Sequence, residues 1–345
     1  MSPRNTWALY LALCLAIHAP AWADAKSWAE CADIPEDAVR LRCYDSLAHT
    51  ARTPPSTEVV VISPVVEPKT ISVPGAQASA LSKRWELEPE SKQGIWSFRA
   101  HKPNYFLLGR YTDRVNRKPY DVFFTAIKDE NLGLDATEAK FQLSFKLKAA
   151  EDLFGGNADL WLGYTQRNHW QVYNSNISAP FRETNYEPEV FLTFPVRHGF
   201  LGLTGRFVNL GLVHQSNGQG RLLSRSWNRA YAQFGFERGD NFSLLLKPWY
   251  RIKENYVVDD NPDITDYMGD FEMVANYRLG THSFTALGRS NFGLDRGYMQ
   301  LDWSFPVYQN LKGYIQLTTG YGESLIDYNH RQTTFGFGFM LTDWL

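Results

Sequence analysis

The stretch Ala139-Lys140-Phe141-Gln142-Leu143-Ser144-Phe145-Lys146-Leu147-Lys148 alternates apolar and polar side chains without a break. Successive side chains of a β-strand point to opposite faces, so a period of two reads as a strand with one apolar and one polar face. The pattern recurs outward from this segment. In 267–279, Tyr267, Phe271, Met273, Ala275, Tyr277 and Leu279 alternate with Asp270, Glu272, Asn276 and Arg278. In 297–307, Met299, Leu301, Trp303, Phe305 and Val307 alternate with Tyr298, Gln300, Asp302 and Ser304. The chain closes with Phe335, Phe337, Phe339 and Leu341 on one face. Twelve such strands are predicted, near 103–112, 138–148, 160–170, 186–195, 205–217, 226–237, 241–251, 267–279, 282–290, 297–307, 312–321 and 332–342.

Composition narrows what these strands build. The 345 residues are 44% hydrophobic, 21% charged and 15% aromatic. Lys and Arg (35) nearly balance Asp and Glu (37), for a net charge of −2, which argues against a nucleic-acid binder. No run of about 18 apolar residues occurs, so no helix spans a bilayer. A membrane β-barrel hides its hydrophobicity by alternation and survives both tests. A soluble sandwich also alternates. Here, however, the polar faces carry charges flanked by aromatics, as a barrel lumen does, and the final strand runs to the C-terminus. The predicted fold is all-β, a 12-stranded antiparallel transmembrane β-barrel with a small N-terminal periplasmic extension. An even strand count puts both ends in the periplasm, with short turns there (Arg238-Gly239-Asp240, Gly280-Thr281) and longer loops outside. Lumen charges of both signs (Lys140, Asp270, Glu272, Arg278, Asp302) predict an interior filled by ion pairs.

Residues 1–23 read as a signal peptide: Arg4, an apolar core from Trp7 to Ile17, then Ala21-Trp22-Ala23 as the cleavage motif. Cleavage removes Cys14 and leaves Cys31 and Cys43 in an oxidising compartment, where a disulfide is expected. It would close a 13-residue loop, worth about 3 kcal/mol. Five prolines between Pro54 and Pro74 mark an extended linker. The domain division is therefore 1–23 signal, 24–95 disulfide-clipped segment and linker, and 96–345 barrel.

One strand carries chemistry on its apolar face. In 205–217, Val208, Leu210 and Leu212 are followed in the same row by His214 and Ser216. In 226–237, Asn228 continues the row of Ala230, Ala232, Phe234 and Phe236. The two strands are neighbours of opposite direction, so His214, Ser216 and Asn228 meet at the extracellular rim. Polar groups facing lipid cost several kcal/mol unless they satisfy one another. A Ser–His–Asn chain would do so, and it is also an activated nucleophile: Ser216 attacks, His214 takes its proton and Asn228 fixes the imidazole. Asn in place of Asp avoids a carboxylate in a low-dielectric site, and stabilises the imidazolium less. One His-x-Ser is a weak motif by itself, and a rim of interfacial polar residues would look the same.

At these residues the sequence resembles bacterial outer-membrane phospholipase A. The resemblance rests on Tyr164-Thr165-Gln166, on 180–188 (PFRETNYEP), on His214-x-Ser216-Asn217-Gly218 and on 224–229 (SRSWNR). It continues through Lys247-Pro248-Trp249-Tyr250, 259–265 (DDNPDIT) and 321–329 (YGESLIDYN), in the same order across most of 103–345. It implies a twelve-stranded barrel that hydrolyses the sn-1 and sn-2 acyl esters of outer-leaflet phospholipids, depends on calcium and is active as a homodimer. It makes Ser216 the nucleophile, His214 the base and Asn228 the orienting group, with the Gly218 N–H in the oxyanion hole. It implies calcium ligands at Ser224 (hydroxyl), Gln219 (carbonyl) and Ser178 of the partner subunit, and a second calcium position at Asp260. Gln219 stands where a family member has Arg, which a backbone ligand tolerates. Arg221 stands where an acid is expected, which removes negative charge near the ion. Gln166 matches a polar residue of the family's dimer interface.

Other polar residues have structural readings. Arg182, Glu183 and Asn185 read as loop-fixing ion pairs, and Glu323 and Asp327 as loop scaffolding. His169, His198, His282 and His330 lack the companions of a zinc site. The expected function is a calcium-dependent phospholipase A1/A2 of the cell outer membrane. The alternatives are a catalytically inactive structural or pore-forming barrel, and another barrel hydrolase such as a lipid A deacylase or a protease.

Overall fold

The structure, a computed structural model, describes residues 31, 35–50, 79–121, 133–255, 258–293 and 295–344. The expected signal peptide, the linker through residue 78 and the side chain of Cys43 lie outside the described residues. Cys31 is buried and held in a disulfide. The chain divides into two compact units, Met1–Val73 and Pro74–Leu345. A helix, Asp37–Thr50, belongs to the first.

The second unit is a barrel. Its strands are β1 (Phe98–Ala100), β2 (Asn104–Thr112), β3 (Thr137–Asp152), β4 (Ala158–Trp170), β5 (Phe181–Phe200), β6 (Leu203–Ser216) and β7 (Ser226–Arg238). They continue as β8 (Phe242–Ile252), β9 (Phe271–Leu279), β10 (His282–Ser290), β11 (Gly297–Tyr308), β12 (Leu311–Tyr321) and β13 (Arg331–Thr342). From β2 to β13 each strand pairs antiparallel with the next, and β13 returns to pair with β2. Closure leaves no free edge, which a strand in lipid requires. The barrel is thus twelve-stranded, and β1 is an extra rung that, among the described residues, pairs with β3 alone.

The barrel is inside-out relative to a soluble sandwich. Along β3, Lys140, Lys146 and Lys148 are at most 1% exposed, while Leu143 and Phe145 on the other face are 50% and 38% exposed. The polar face is the lumen, and burial of those ammonium groups is possible because each meets a specific partner. Near the long-loop end, Lys140 Nζ donates to Gln316 Oε1 (2.7 Å) and Glu323 Oε1 (2.9 Å). Midway, Glu189 accepts from Tyr231 Oη (2.6 Å) and pairs with His101 (2.7 Å) and Lys247 (3.5 Å). Lys102 pairs with Glu187 at 2.6 Å. A cavity of about 60 Å³ remains among Lys102, Arg167, Glu187, Arg229, Lys247 and Glu272, room for a few waters. The strands do build a lumen of ion pairs, but of the five residues expected to form it Lys140 alone does so among the described residues; Asp270, Glu272, Arg278 and Asp302 take part in none there.

The end with the short turns is plugged from within by the chain itself. The helix Ala80–Trp85 is capped by Ser79, whose hydroxyl accepts from the Ser82 N–H at 3.1 Å. Trp85, 2% exposed, packs its ring 4.6 Å from Phe207 and 5.7 Å from Phe191. Lys146 Nζ, which has no hydrogen-bond partner, lies 3.3 Å from the Trp85 ring centroid and 4.5 Å from that of Trp161. Two aromatic faces flank this buried amine. Glu86 ties the helix end to Lys148 (2.8 Å) and Arg99 (2.6 Å). The second compact unit, which begins at Pro74, thus includes this helix as part of its core. Trp85→Ala would leave a cavity and strip Lys146 of its closer ring. The expected loss is about 3–5 kcal/mol of stability, read as a lower urea midpoint of the vesicle-inserted barrel. An unchanged midpoint would show that the helix is an appendage.

Several expected boundaries move; the strands expected to end at 148 and 195 run on to Asp152 and Phe200. Tyr267 does not open a strand: residues Ile264–Met268 form a short helix, and the strand starts at Phe271. Gly269 ends the helix at φ +79°, where a Cβ would lie 2.1 Å from the Ser290 carbonyl, so only glycine makes this turn. Tyr267 instead packs edge-on against Tyr328 and tilted on Tyr321. The strand expected from 186 begins at Phe181, so Arg182, Glu183 and Asn185 are lumen residues rather than loop residues.

Candidate active site

The site is built where β6 and β7 reach the long-loop end. His214 is opposite Asn228 and Ser216 opposite Ser226. His214 follows Leu210 and Leu212, 49% and 54% exposed, on the outer face, while Val213 and Gln215 between them are buried. The three residues singled out by alternation therefore share the membrane-facing surface. His214 Nδ1 lies 2.9 Å from Asn228 Oδ1. Ser216 is one step further along the same face, half-buried, and no hydrogen bond joins its hydroxyl to the imidazole. Such bonds are often long before substrate arrives.

The lumen side of the same two strands is stiff. Gln215 Oε1 accepts from Trp227 Nε1 at 2.9 Å and from Arg229 at 3.0 Å. The Arg229 guanidinium lies 4.1 Å from the Trp227 ring centroid and 5.3 Å from that of Trp249. Gln215, Trp227 and Arg229 alternate with His214, Ser216 and Asn228 along β6 and β7, so packing inside the barrel fixes the register outside it.

After Ser216 the chain turns through 217–225. Asn217, 2% exposed, holds this loop: its amide donates to Leu223 O (2.7 Å) and Glu183 (3.3 Å), and its Oδ1 accepts from the Arg225 N–H (3.0 Å). Gly218 follows at φ +64°, with Tyr186 so near that a Cβ would sit 2.9 Å from its ring. The residue expected to supply an oxyanion N–H is thus in a conformation that favours glycine, two residues from the Ser216 carbonyl.

Of the expected metal ligands, Ser224 and Asp260 come together: Ser224 Oγ donates to Asp260 Oδ2 at 2.5 Å. Their loops are also joined by Ser226 N–H to Asn261 Oδ1 (3.0 Å), and Arg251 clamps Asp259 at 2.7 and 2.8 Å. Gln219 is exposed on the first loop. Ser178 lies on a third loop in the left-handed conformation, φ +61°, with no hydrogen bond to the other three among the described residues. The side chain of Arg221 lies outside the described residues. No cluster of three or more His, Cys, Asp or Glu side chains that could hold a metal occurs among the described residues. The donors that do meet are a hydroxyl and a carboxylate. Both are oxygens, which suits a hard cation such as calcium and not zinc.

Gln166 lies in one row with Ser216: Gln166 pairs with Tyr186, and Tyr186 with Ser216. Two strand spacings separate them, about 10 Å. Gln166 accepts from Tyr164 Oη (3.0 Å) and donates to Asn168 Oδ1 (2.9 Å), forming a polar ladder on the outer face.

The remaining motif residues scaffold the loops. Glu183 accepts from the Ile326 N–H and Asn185 from the Leu325 N–H, each at 3.0 Å. Asp327 pairs with Arg182 at 3.1 Å. Burial alone would raise the Asp327 carboxyl, but Arg182 and the Ser324 hydroxyl hold it below its ordinary range. Two residues of the site were not foreseen from sequence. Asn217 sits inside a quoted motif with no role assigned. Glu254 accepts from Asn228 Nδ2 at 2.9 Å and belongs to no sequence pattern at all.

Comparison with known proteins agrees with this architecture. The family model "Phospholipase A1" matches residues 81–341. Phospholipase A1 of Klebsiella pneumoniae is 42% identical over 70% of this chain and 82% of its own length. The Escherichia coli K12 enzyme is 42% identical over 69% of this chain and 79% of its own. The solved outer membrane phospholipase A of Escherichia coli superposes with a TM-score of 0.66 at 39% identity, over 72% of this chain and 95% of that one. The Salmonella typhi outer membrane phospholipase, solved as a dimer with bound calcium, gives 0.69 at 36%, over 79% and 100%. Twelve closed strands, an outward-facing polar row and these relatives lead to one conclusion: the chain belongs to the phospholipase A1 family, as an outer-membrane β-barrel that hydrolyses phospholipids.

Proposed function

We propose that this barrel cleaves both the sn-1 and sn-2 acyl esters of outer-leaflet phospholipids with Ser216 as nucleophile, as a calcium-dependent homodimer. The observation that carries the reading is the 2.9 Å contact of His214 with Asn228 on the membrane-facing surface, beside Ser216. A hydrolase whose substrate is the membrane itself has its nucleophile where the acyl chains already are. Substrate then reaches Ser216 by lateral diffusion, and no soluble cleft is required.

With Asn228 accepting at Nδ1, the imidazole offers Nε2 to the Ser216 hydroxyl. Oγ attacks the ester carbonyl while His214 takes its proton, and His214 returns that proton to the leaving lysophospholipid oxygen. Water then repeats the sequence on the acyl-enzyme. The Gly218 N–H, on a turn fixed by Asn217, is suited to the developing oxyanion. Ser224 and the Gln219 carbonyl would hold calcium, with Ser178 of the partner subunit completing the shell, and Asp260 would serve the second calcium position. Calcium, when bound, adds positive charge beside that oxyanion. The row linking Gln166 to Ser216 supports a dimer face adjoining the nucleophile. Dimerisation would keep a lone barrel from digesting its own membrane, and a few kcal/mol of coupling suffices for such a switch.

The test is fatty-acid release from mixed phospholipid–detergent micelles by refolded protein. Release is expected with calcium, a fall of at least about tenfold with excess chelator, and recovery on adding calcium back. A Ser224→Ala barrel should need more calcium for half-maximal activity. Full activity in chelator would remove calcium and leave the Ser216 chemistry standing.

A further inference from the structure

We propose that Glu254 is a positioning residue of the Ser216 site, acting through Asn228; this rests on the reading of Ser216, His214 and Asn228 given above. Asn228 makes two side-chain hydrogen bonds, one at each end of its carboxamide. Oδ1 faces His214 Nδ1 at 2.9 Å, and Nδ2 donates to Glu254 Oε1 at 2.9 Å. The second bond settles the direction of the first. A carboxamide offers an oxygen or an NH₂ group by a half-turn, and a carboxylate only accepts. Glu254 therefore pins NH₂ toward itself and the oxygen toward His214. A carbonyl oxygen at Nδ1 requires the proton there, which leaves the Nε2 lone pair for Ser216. The tautomer needed for a general base is thus set two residues away from the ring.

Charge supplies the second part of the argument. Asn stabilises the imidazolium less than a carboxylate would, yet a carboxylate at position 228 would sit on the membrane face of a strand. Glu254 restores the negative charge one group further out. It lies two residues beyond Ile252, the strand partner of Asn228 and last residue of β8, where the chain has left the barrel wall. There it is only half-buried, so its desolvation costs little. Donating to a carboxylate also polarises the amide and makes Oδ1 a stronger acceptor. Glu254 is in none of the ion pairs among the described residues; its hydrogen bond is to Asn228.

The experiment compares kcat and KM for wild type, Glu254→Ala, Glu254→Gln, Asn228→Ala and the double variant Asn228→Ala/Glu254→Ala. Each is first shown to be folded by heat-modifiable gel mobility. Glu254→Ala is expected to lower kcat about tenfold, with KM within about twofold, because a group that orients a reacting side chain acts on the chemical step. Glu254→Gln keeps an acceptor and loses the charge, and should fall between. In the Asn228→Ala background, Glu254→Ala should change kcat by less than about twofold, since a residue acting only through Asn228 has nothing left to act on. A purely structural role for the 253–255 loop would instead lower activity equally in both backgrounds, which would overturn the proposal. So would wild-type kcat in Glu254→Ala. A Ser216→Ala control separates the two readings. If it is inactive while Glu254→Ala is unaffected, only the role of Glu254 falls; if it retains activity, the nucleophile assignment itself falls.

Discussion

Ser216→Ala is expected to reduce phospholipid hydrolysis by about 10⁵–10⁶-fold while leaving the barrel's folding unchanged. The size follows from the chemistry. Without the hydroxyl no acyl-enzyme forms, and what remains is the residual effect of binding and oxyanion donors on direct attack by water. His214→Ala should cost nearly as much, because an unassisted hydroxyl is a poor nucleophile at neutral pH. The double variant should be no worse than either alone, since the two act as one unit. Stability is a separate matter. Ser216 is half-buried on the outer face and makes no side-chain hydrogen bond among the described residues, so alanine removes little. Titration of active sites with a sulfonyl fluoride, followed by mass spectrometry of the 203–229 segment, gives the direct readout. Modification elsewhere, or a Ser216→Ala barrel keeping more than about 1% of wild-type release, would end the serine mechanism for this chain.

The second large effect is on folding. Glu138→Ala is expected to destabilise the barrel by about 3–5 kcal/mol. Glu138, 1% exposed, is the hub of the lumen's long-loop end. Its Oε1 accepts from Arg110 (3.0 Å), Arg182 (3.0 Å) and His169 Nδ1 (2.9 Å). Its Oε2 accepts from Arg182 Nε (2.9 Å) and Gln171 (3.1 Å). Truncation leaves two buried guanidinium groups short of one carboxylate, with Glu323 and Asp327 as their remaining partners. The penalty is that of uncompensated charge rather than a lost contact. The control is Arg114→Ala, which removes the exposed pair with Asp113 at 3.7 Å; exposed pairs contribute under about 1 kcal/mol. Urea titration of both variants in vesicles makes the comparison. If Glu138→Ala and Arg114→Ala shift the midpoint alike, the lumen network is not what holds this end together.

Much of the fold was legible in the residues because barrel strands obey a local rule. Alternation over 139–148 or 297–307 names a strand, its two faces and, through the count of strands, its direction. Two of the boundaries moved where a non-local contact outweighs alternation. Tyr267 continues the period but is claimed by Tyr321 and Tyr328, and the Gly269 turn ends the helix that carries it. Residues 181–185 carry Arg, Glu and Asn and look like loop, yet they are strand, because Glu138, Asp327 and the 322–330 loop receive their polar groups inside the barrel.

The candidate site divides the same way. His214, Ser216 and Asn228 were readable from sequence because polar residues break an apolar row at fixed spacing on two neighbouring strands. That pattern depends only on strand period and adjacency. Asn217 and Glu254 were not readable, because neither breaks a pattern. Asn217 matters through hydrogen bonds that close its own loop, and Glu254 through a contact 26 residues away. The plug helix Ala80–Trp85 was likewise invisible in a stretch with no strand period. By itself, then, the sequence determined the barrel, which face of each strand meets lipid and which three residues stand on the wrong one, since all of these follow from a period of two. Only the tertiary structure decided what fills the lumen, which loops meet and what backs Asn228. Those depend on which side chains closure of the cylinder brings within hydrogen-bond reach, and no local period encodes that.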